Sequence, residues 1–229
     1  MTDEHLLADQ IAYYRARAGE YDEWFLRQGR YDRGLEHRSQ WCGEVETIRR
    51  ALTAAISGAD VVELACGTGL WTEQLARENR HVYAVDASPE VIAINRNRVR
   101  SANVQYEIVD LFAFAPRTQF DAVFFAFWLS HVPPAKFDGF WRTVKSLLKP
   151  GGRAFFVDSL LEQTSTANDH HELDDSGVVR RKLNDGREFE IVKVFHRPEQ
   201  LQARLTDLGW QGDVRSSGKF FYYGCVVAA

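Results

Sequence analysis

Cysteine, long apolar runs and an excess of charge of one sign are all scarce in this 229-residue chain. The three cysteines, Cys42, Cys66 and Cys225, lie far apart, are odd in number and form no CxxC pair. Neither a disulfide framework nor a zinc cluster follows from them, and a reducing compartment, the cytoplasm, is the expectation. The longest stretch without a polar residue, residues 122–129, falls far short of the ~18 that a membrane-spanning helix needs. Residues 1–10 (MTDEHLLADQ) are acidic and have no apolar centre, so no secretory signal is expected there. With a net charge of −4 and no long basic run, a nucleic-acid backbone is not the expected partner. Arg96, Arg98 and Arg100, the densest basic patch, read as the solvated face of a helix. His170 and His171 stand beside Asp169 and Glu172, but adjacent side chains point in different directions, and no metal site is expected.

Aromatic residues, in contrast, are plentiful at 13%, within an otherwise ordinary 45% hydrophobic content that fits one globular domain. Such a surplus serves core packing and also suits a pocket for a flat or cationic small molecule.

From residue 61 onward, short β-prone runs alternate with helical spacing. Strands are expected at 61–64, 82–85, 104–109, 122–127 and 153–157, and helices at 71–78, 89–98 and 135–148. Ser88 and Pro89 form a helix start, and the Lys149-Pro150-Gly151-Gly152 run is expected to break the third helix. Strict alternation with continuous apolar strands predicts a doubly wound α/β fold with a parallel sheet covered on both faces. Two regions stand outside it. Residues 1–57 read as three helices, at 6–18, 21–28 and 35–56, crowded with Tyr and Trp. Residues 160–196 form an insertion whose Asn184-Asp185-Gly186 turn predicts a β-hairpin. A helix at 198–208 and strands at 210–215 and 220–227 close the chain.

The stretch Val61-Val62-Glu63-Leu64-Ala65-Cys66-Gly67-Thr68-Gly69-Leu70-Trp71-Thr72 runs from a strand through a glycine-containing turn into a helix. A ligand can approach the backbone closely there, and the exposed N–H groups favour negative charge. Asp86, ending the second strand, is placed to bind both hydroxyls of a ribose. A dinucleotide fingerprint would carry a glycine three residues after Gly69, where this chain has Thr72. The segment instead resembles motif I of the class I S-adenosylmethionine-dependent methyltransferases, with Ala65 at the first glycine position. Asp86-Ala87-Ser88-Pro89, Ile108 to Phe112, and Leu148 to Arg153 resemble that family's further motifs in order.

The resemblance implies S-adenosylmethionine as cofactor on a Rossmann-like seven-stranded sheet, mostly parallel with an antiparallel last strand. It implies a cofactor core at 58–159, an N-terminal helical lid at 1–57 and closing elements at 197–229. Ala65, Cys66, Gly67, Thr68, Gly69 and Trp71 would wrap the methionine end, with Glu63 near its ammonium group. Asp86 and Ala87 would hold the ribose. Asp110 would accept from the adenine amine beside Leu111 and Phe112, a turn cap being its alternative role. His131 is the catalytic candidate, as a base of suitable ordinary pKa, or else a helix cap or a cofactor contact. Phe127 would line the cofactor pocket, and Tyr14, Tyr21, Trp24 and Trp128 the substrate pocket. The expected function is methyl transfer to oxygen or nitrogen of a small, aromatic or heterocyclic metabolite by a monomer or homodimer. Protein side-chain methylation, a catalytically silent cofactor-binding module and a dehydrogenase are the rivals.

Overall fold

The computed structural model of the chain describes residues 3–116, 118–170 and 172–229. Its helices are α1 (Asp3–Arg17), α2 (Tyr21–Phe25), α3 (Leu35–Ile56), α4 (Thr72–Glu78), α5 (Pro89–Val99), α6 (Phe137–Leu147) and α7 (Pro198–Asp207). Its strands are β1 (Asp60–Leu64), β2 (His81–Asp86), β3 (Val104–Ile108), β4 (Phe120–Ala126), β5 (Leu148–Ser159), β6 (Gly177–Lys182), β7 (Glu188–Lys193), β8 (Trp210–Ser216) and β9 (Phe221–Ala228).

Seven strands form one sheet in the order β3-β2-β1-β4-β5-β9-β8. β9 runs antiparallel to both neighbours, and the pairings from β3 through β5 are parallel. This is the expected Rossmann-like fold. Its strands are apolar on both sides because helices cover both faces. Phe125 stacks on Phe156 on one face, while Phe124 meets Phe155 on the other. The connections reverse direction between β1 and β4, so a crevice opens there at the strands' carboxyl ends.

Two local expectations change. The third helix of the core ends at Leu147 and β5 begins at Leu148, not at residue 153. Leu148 pairs with Phe120 before a register shift that carries Arg153 opposite Ala122. The Pro-Gly-Gly run is therefore a bulge within the strand rather than a loop before it. The helix expected at 21–28 stops at Phe25, because Arg27 adopts φ 55. The buried Arg27 guanidinium then donates to the Trp24, Thr164 and Ser165 carbonyls.

The hairpin β6–β7 forms a separate two-stranded sheet, and α1 lies across it. Tyr13, Leu173, Val179, Leu183 and Ile191 make a small core between them, each buried side chain contributing roughly 1.5–3 kcal/mol. Gln10, buried in α1, donates to the His131 carbonyl and accepts from the Val192 N–H. At the hairpin tip, Asn184 bonds the carboxylates of Glu20 and Glu23. Helix, hairpin and sheet thereby enclose a space above the crevice.

Candidate active site

β1 ends at Leu64 and the chain turns sharply. Ala65 has φ 53, a left-handed conformation that strains any residue with a Cβ. That strain explains the preference for glycine at this point of the motif. Asp86 at the end of β2 fixes the turn from one side: Oδ2 accepts from the Gly67 N–H at 3.0 Å and Oδ1 from the Ser88 N–H at 2.9 Å. Asn95 on α5 fixes it from below, donating to the Gly67 carbonyl at 3.1 Å and the Thr72 hydroxyl at 2.8 Å. A Cβ on Gly69 would lie 2.6 Å from Asn95 Oδ1, so this glycine serves helix packing rather than ligand approach.

The crevice beside the turn holds about 100 Å³ and is walled by Ala65, Gly67, Asp86, Ala87, Asp110, Leu111, Phe112, Phe127 and Trp128. Leu7, Gln10 and Ile11 of α1 close its outer side. A smaller cavity of about 20 Å³ continues it past Glu63, Cys66, Thr68 and Trp71. Burial raises the Glu63 carboxyl to about 8, and its Oε2 has no hydrogen-bond partner among the described residues. A ligand ammonium group would complete this atom. Thr68 is already engaged, donating to Asp22 Oδ1 at 2.6 Å and accepting from Arg98. Trp71 packs between Phe25 and Phe124. Asp110 is exposed and Oδ1 caps the Phe112 N–H at 3.0 Å, so the turn-cap role is present, and Oδ2 has no partner among the described residues. Trp128, expected in the substrate pocket, sits instead beside Phe112 on the crevice wall, their rings 5.6 Å apart.

A second cavity, of about 50 Å³, lies under α1 and the hairpin. Tyr14, Tyr21, Phe127 and His131 line both it and the crevice, and so mark where the two meet. Trp24 stands on the second cavity alone, edge-on to Phe127 at 4.8 Å. The remaining walls combine cations and hydroxyls, Arg17, Arg181 and Lys193 with Tyr13, Tyr31, Ser159, Ser165 and Thr166, with His170 and the apolar Leu173, Ile191 and Phe195. Among the described residues lining it there is no carboxylate. Lys193, buried, donates to Ser130 Oγ at 2.8 Å and pairs with Asp158 Oδ1 at 3.5 Å. Burial opposes charge on the Asp158 carboxyl, but Lys193 holds it below its ordinary range. Arg17 lies against the rings of Tyr13 and Tyr21 and reaches the Tyr31 hydroxyl at 3.4 Å. Arg181 donates to the Thr166 hydroxyl at 2.9 Å. Neither arginine has a carboxylate partner among the described residues.

His131 joins the two cavities. Its Nδ1 lies 2.6 Å from the Val192 carbonyl and its Nε2 2.6 Å from the Tyr14 hydroxyl. Burial, with Lys193 nearby, pushes its pKa down to about 3, so the ring is neutral at physiological pH.

The cation cluster is what the sequence reading missed. Val179, Arg181 and Leu183 share one face of the hairpin, as do Phe189, Ile191, Lys193 and Phe195. Period-two alternation therefore puts a cation in an inward position on each strand. That signal lies in the sequence. His170, where no metal site is expected, lines this cavity and is held neutral by burial at about 4. His171 lies outside the described residues.

The geometry has close counterparts. A family profile described as a methyltransferase domain matches residues 61–152. The complex of DhpI with SAH is 39% identical, covers 100% of this chain and 99% of that one, and superposes with a TM-score of 0.80. A DhpI-SAM-HEP complex, 40% identical with a TM-score of 0.80, covers 99% of this chain and 100% of that one. A ubiquinone biosynthesis O-methyltransferase of Xylella fastidiosa (strain 9a5c) is 36% identical over 160 residues. That match takes in 67% of this chain but only 61% of the curated relative's length. Among the described residues no helix is long and apolar enough to cross a membrane.

Proposed function

The chain belongs to the class I S-adenosylmethionine-dependent methyltransferases, and from that premise we propose that it methylates an already ionised oxygen on a small anionic acceptor, a carboxylate or a phosphorus oxyanion. The residues present fit the cofactor. The partnerless Glu63 oxygen suits an ammonium, Asp86 faces the crevice where a ribose would lie, and Leu111 and Phe112 offer an apolar face for a purine. Bound there, the cofactor supplies a methyl group activated by its cationic sulfur.

One observation carries the acceptor class. Three cations, Arg17 and Lys193 buried and Arg181 half-buried, line a cavity with hydroxyl groups and, among the described residues, no carboxylate; it opens onto the cofactor crevice through Tyr14, Tyr21, Phe127 and His131. Asp158 balances Lys193, and among the described residues Arg17 and Arg181 have no carboxylate partner. Buried charges are ordinarily paired, so an anionic acceptor is the missing partner. The groups at the junction agree. His131 is neutral with both ring nitrogens engaged, and burial raises the Tyr13, Tyr14 and Tyr21 phenols above their ordinary range. A phenol or alcohol would need its proton removed, whereas an oxyanion presents its lone pair directly. The cations then orient the acceptor for in-line attack, which requires about 3–3.5 Å between the reacting atoms.

The aromatic residues that prompted the expectation of an aromatic acceptor mostly pack the core, as Phe124, Phe125, Phe155, Phe156 and Trp141 do. A phenolic acceptor is the second reading, favoured by the O-methyltransferase name of the curated relatives and by Trp24 of the second cavity, edge-on to Phe127 at the junction. Labelled methyl transfer to a panel of small carboxylates, phosphates, phosphonates and phenols separates the two. We expect methyl esters, base-labile where the acceptor is a carboxylate and base-stable where it is a phosphorus oxyanion, and competitive inhibition by inorganic phosphate or sulfate. Turnover of phenols unaffected by those anions would overturn the oxyanion reading.

A further inference from the structure

The hydrogen-bond chain through His131 has a fixed polarity. The Val192 carbonyl can only accept, so the proton sits on Nδ1. Nε2 of the neutral ring then carries a lone pair, and the Tyr14 hydroxyl must donate to it. With its only proton committed, the Tyr14 oxygen has nothing but lone pairs to offer the junction of the two cavities. This wall of the junction is thus negatively polarised, while Arg17, Arg181 and Lys193 make the far side positive. The field suits a positive group on the crevice side and an anion on the cation side.

We propose that Tyr14, oriented by His131, recognises the positive sulfur and its methyl group, so that the charged cofactor binds better than its neutral demethylated product. His131 is on this account a positioning residue that acts through Tyr14 and carries no proton in the reaction. The arrangement also favours departure of the spent cofactor, since the attraction vanishes with the charge. The inference rests on the cofactor reading and is independent of the acceptor's identity.

Calorimetric titration of the full chain with S-adenosylmethionine and with S-adenosylhomocysteine, without acceptor, tests it. Binding of S-adenosylhomocysteine by the unsubstituted protein checks the cofactor reading separately. Tyr14→Phe keeps the ring packing and should reduce the preference for the charged ligand by roughly 3–10-fold, the range for one hydrogen-bond-like contact to a charged group. His131→Leu should reduce it similarly. His131→Gln, whose amide can accept from Tyr14 and donate to Val192, should restore it. In the Tyr14→Phe background, His131→Leu should cause no further change. An unchanged preference in Tyr14→Phe would overturn the proposal, as would a drop from His131→Leu that persists when Tyr14 is already phenylalanine. Failure of His131→Gln to restore the preference would count the same way.

Discussion

Asp86 accepts a hydrogen bond from the Gly67 backbone N–H at 3.0 Å, tying the end of β2 to the turn that follows β1. The acid assigned to the ribose is therefore also a brace for the turn. Asp86→Ala should weaken S-adenosylhomocysteine binding strongly, because buried groups left unpaired cost roughly 1–3 kcal/mol each. Calorimetry reads the loss, and affinity within twofold of the unsubstituted protein would refute both roles. Asp86→Asn, which keeps an acceptor for Gly67, should be milder.

Glu63 gives the protein a pH dependence of known sign. Its ordinary value is 4.5, and burial raises it to about 8. Between those values the folded state holds a proton that the unfolded state has released, so this group makes stability fall as pH rises through that window. Ligand affinity should move the other way. An ammonium group prefers the carboxylate, so S-adenosylhomocysteine should bind more tightly as pH rises from about 6 to 8. Glu63→Gln should flatten both profiles, as followed by thermal melts and titrations across that range. Profiles that kept their slopes would place the titration elsewhere.

Lys193 separates acceptor binding from stability. Lys193→Met leaves Asp158, fully buried, without its cation, and should cost about 3–5 kcal/mol of stability. Adding Asp158→Asn should recover most of that loss in denaturant unfolding. It should not recover acceptor binding: KM should stay raised tenfold or more, by the roughly 2–5 kcal/mol that a buried charge contact contributes. The S-adenosylhomocysteine dissociation constant should change little in either variant. An acceptor KM restored in the double variant would remove the cation from the acceptor site.

Ala65 stores strain that glycine would release. At φ 53 an alanine is disfavoured by roughly 1–2 kcal/mol, against about 0.4–1 kcal/mol of extra unfolded-chain entropy for glycine. Ala65→Gly should therefore raise the melting temperature by about 1–4 °C. A lower melting temperature would show that the alanine methyl contributes more by packing than it costs in strain.

The fold was legible because its signals are local. Val61 to Leu64, the small residues after them and Ser88-Pro89 each declare a strand end, a turn or a helix start within a few residues. The ordering of these motifs marked the sheet and the crevice. Boundaries set by tertiary contacts were not legible. Leu148 joins β5 because Phe120 is opposite it, and α2 ends early because Arg27 turns back to the carbonyls of residues 164 and 165. Trp128 and Gly69 show the same limit, since their positions relative to the turn do not say whether they face a ligand, Phe112 or Asn95.

The sequence by itself determined the order of strands and helices, the strained turn, and the acids that flank it, because periodicity and turn chemistry act over a few residues. Only the tertiary structure decided what the second cavity holds. Arg17, Arg181 and Lys193 come from a helix and both strands of a distant hairpin, and nothing local requires that they converge. Long-range packing of α1 on the hairpin brings the cations together, and the electrostatic cost of holding the two arginines out of water without a carboxylate makes that convergence meaningful.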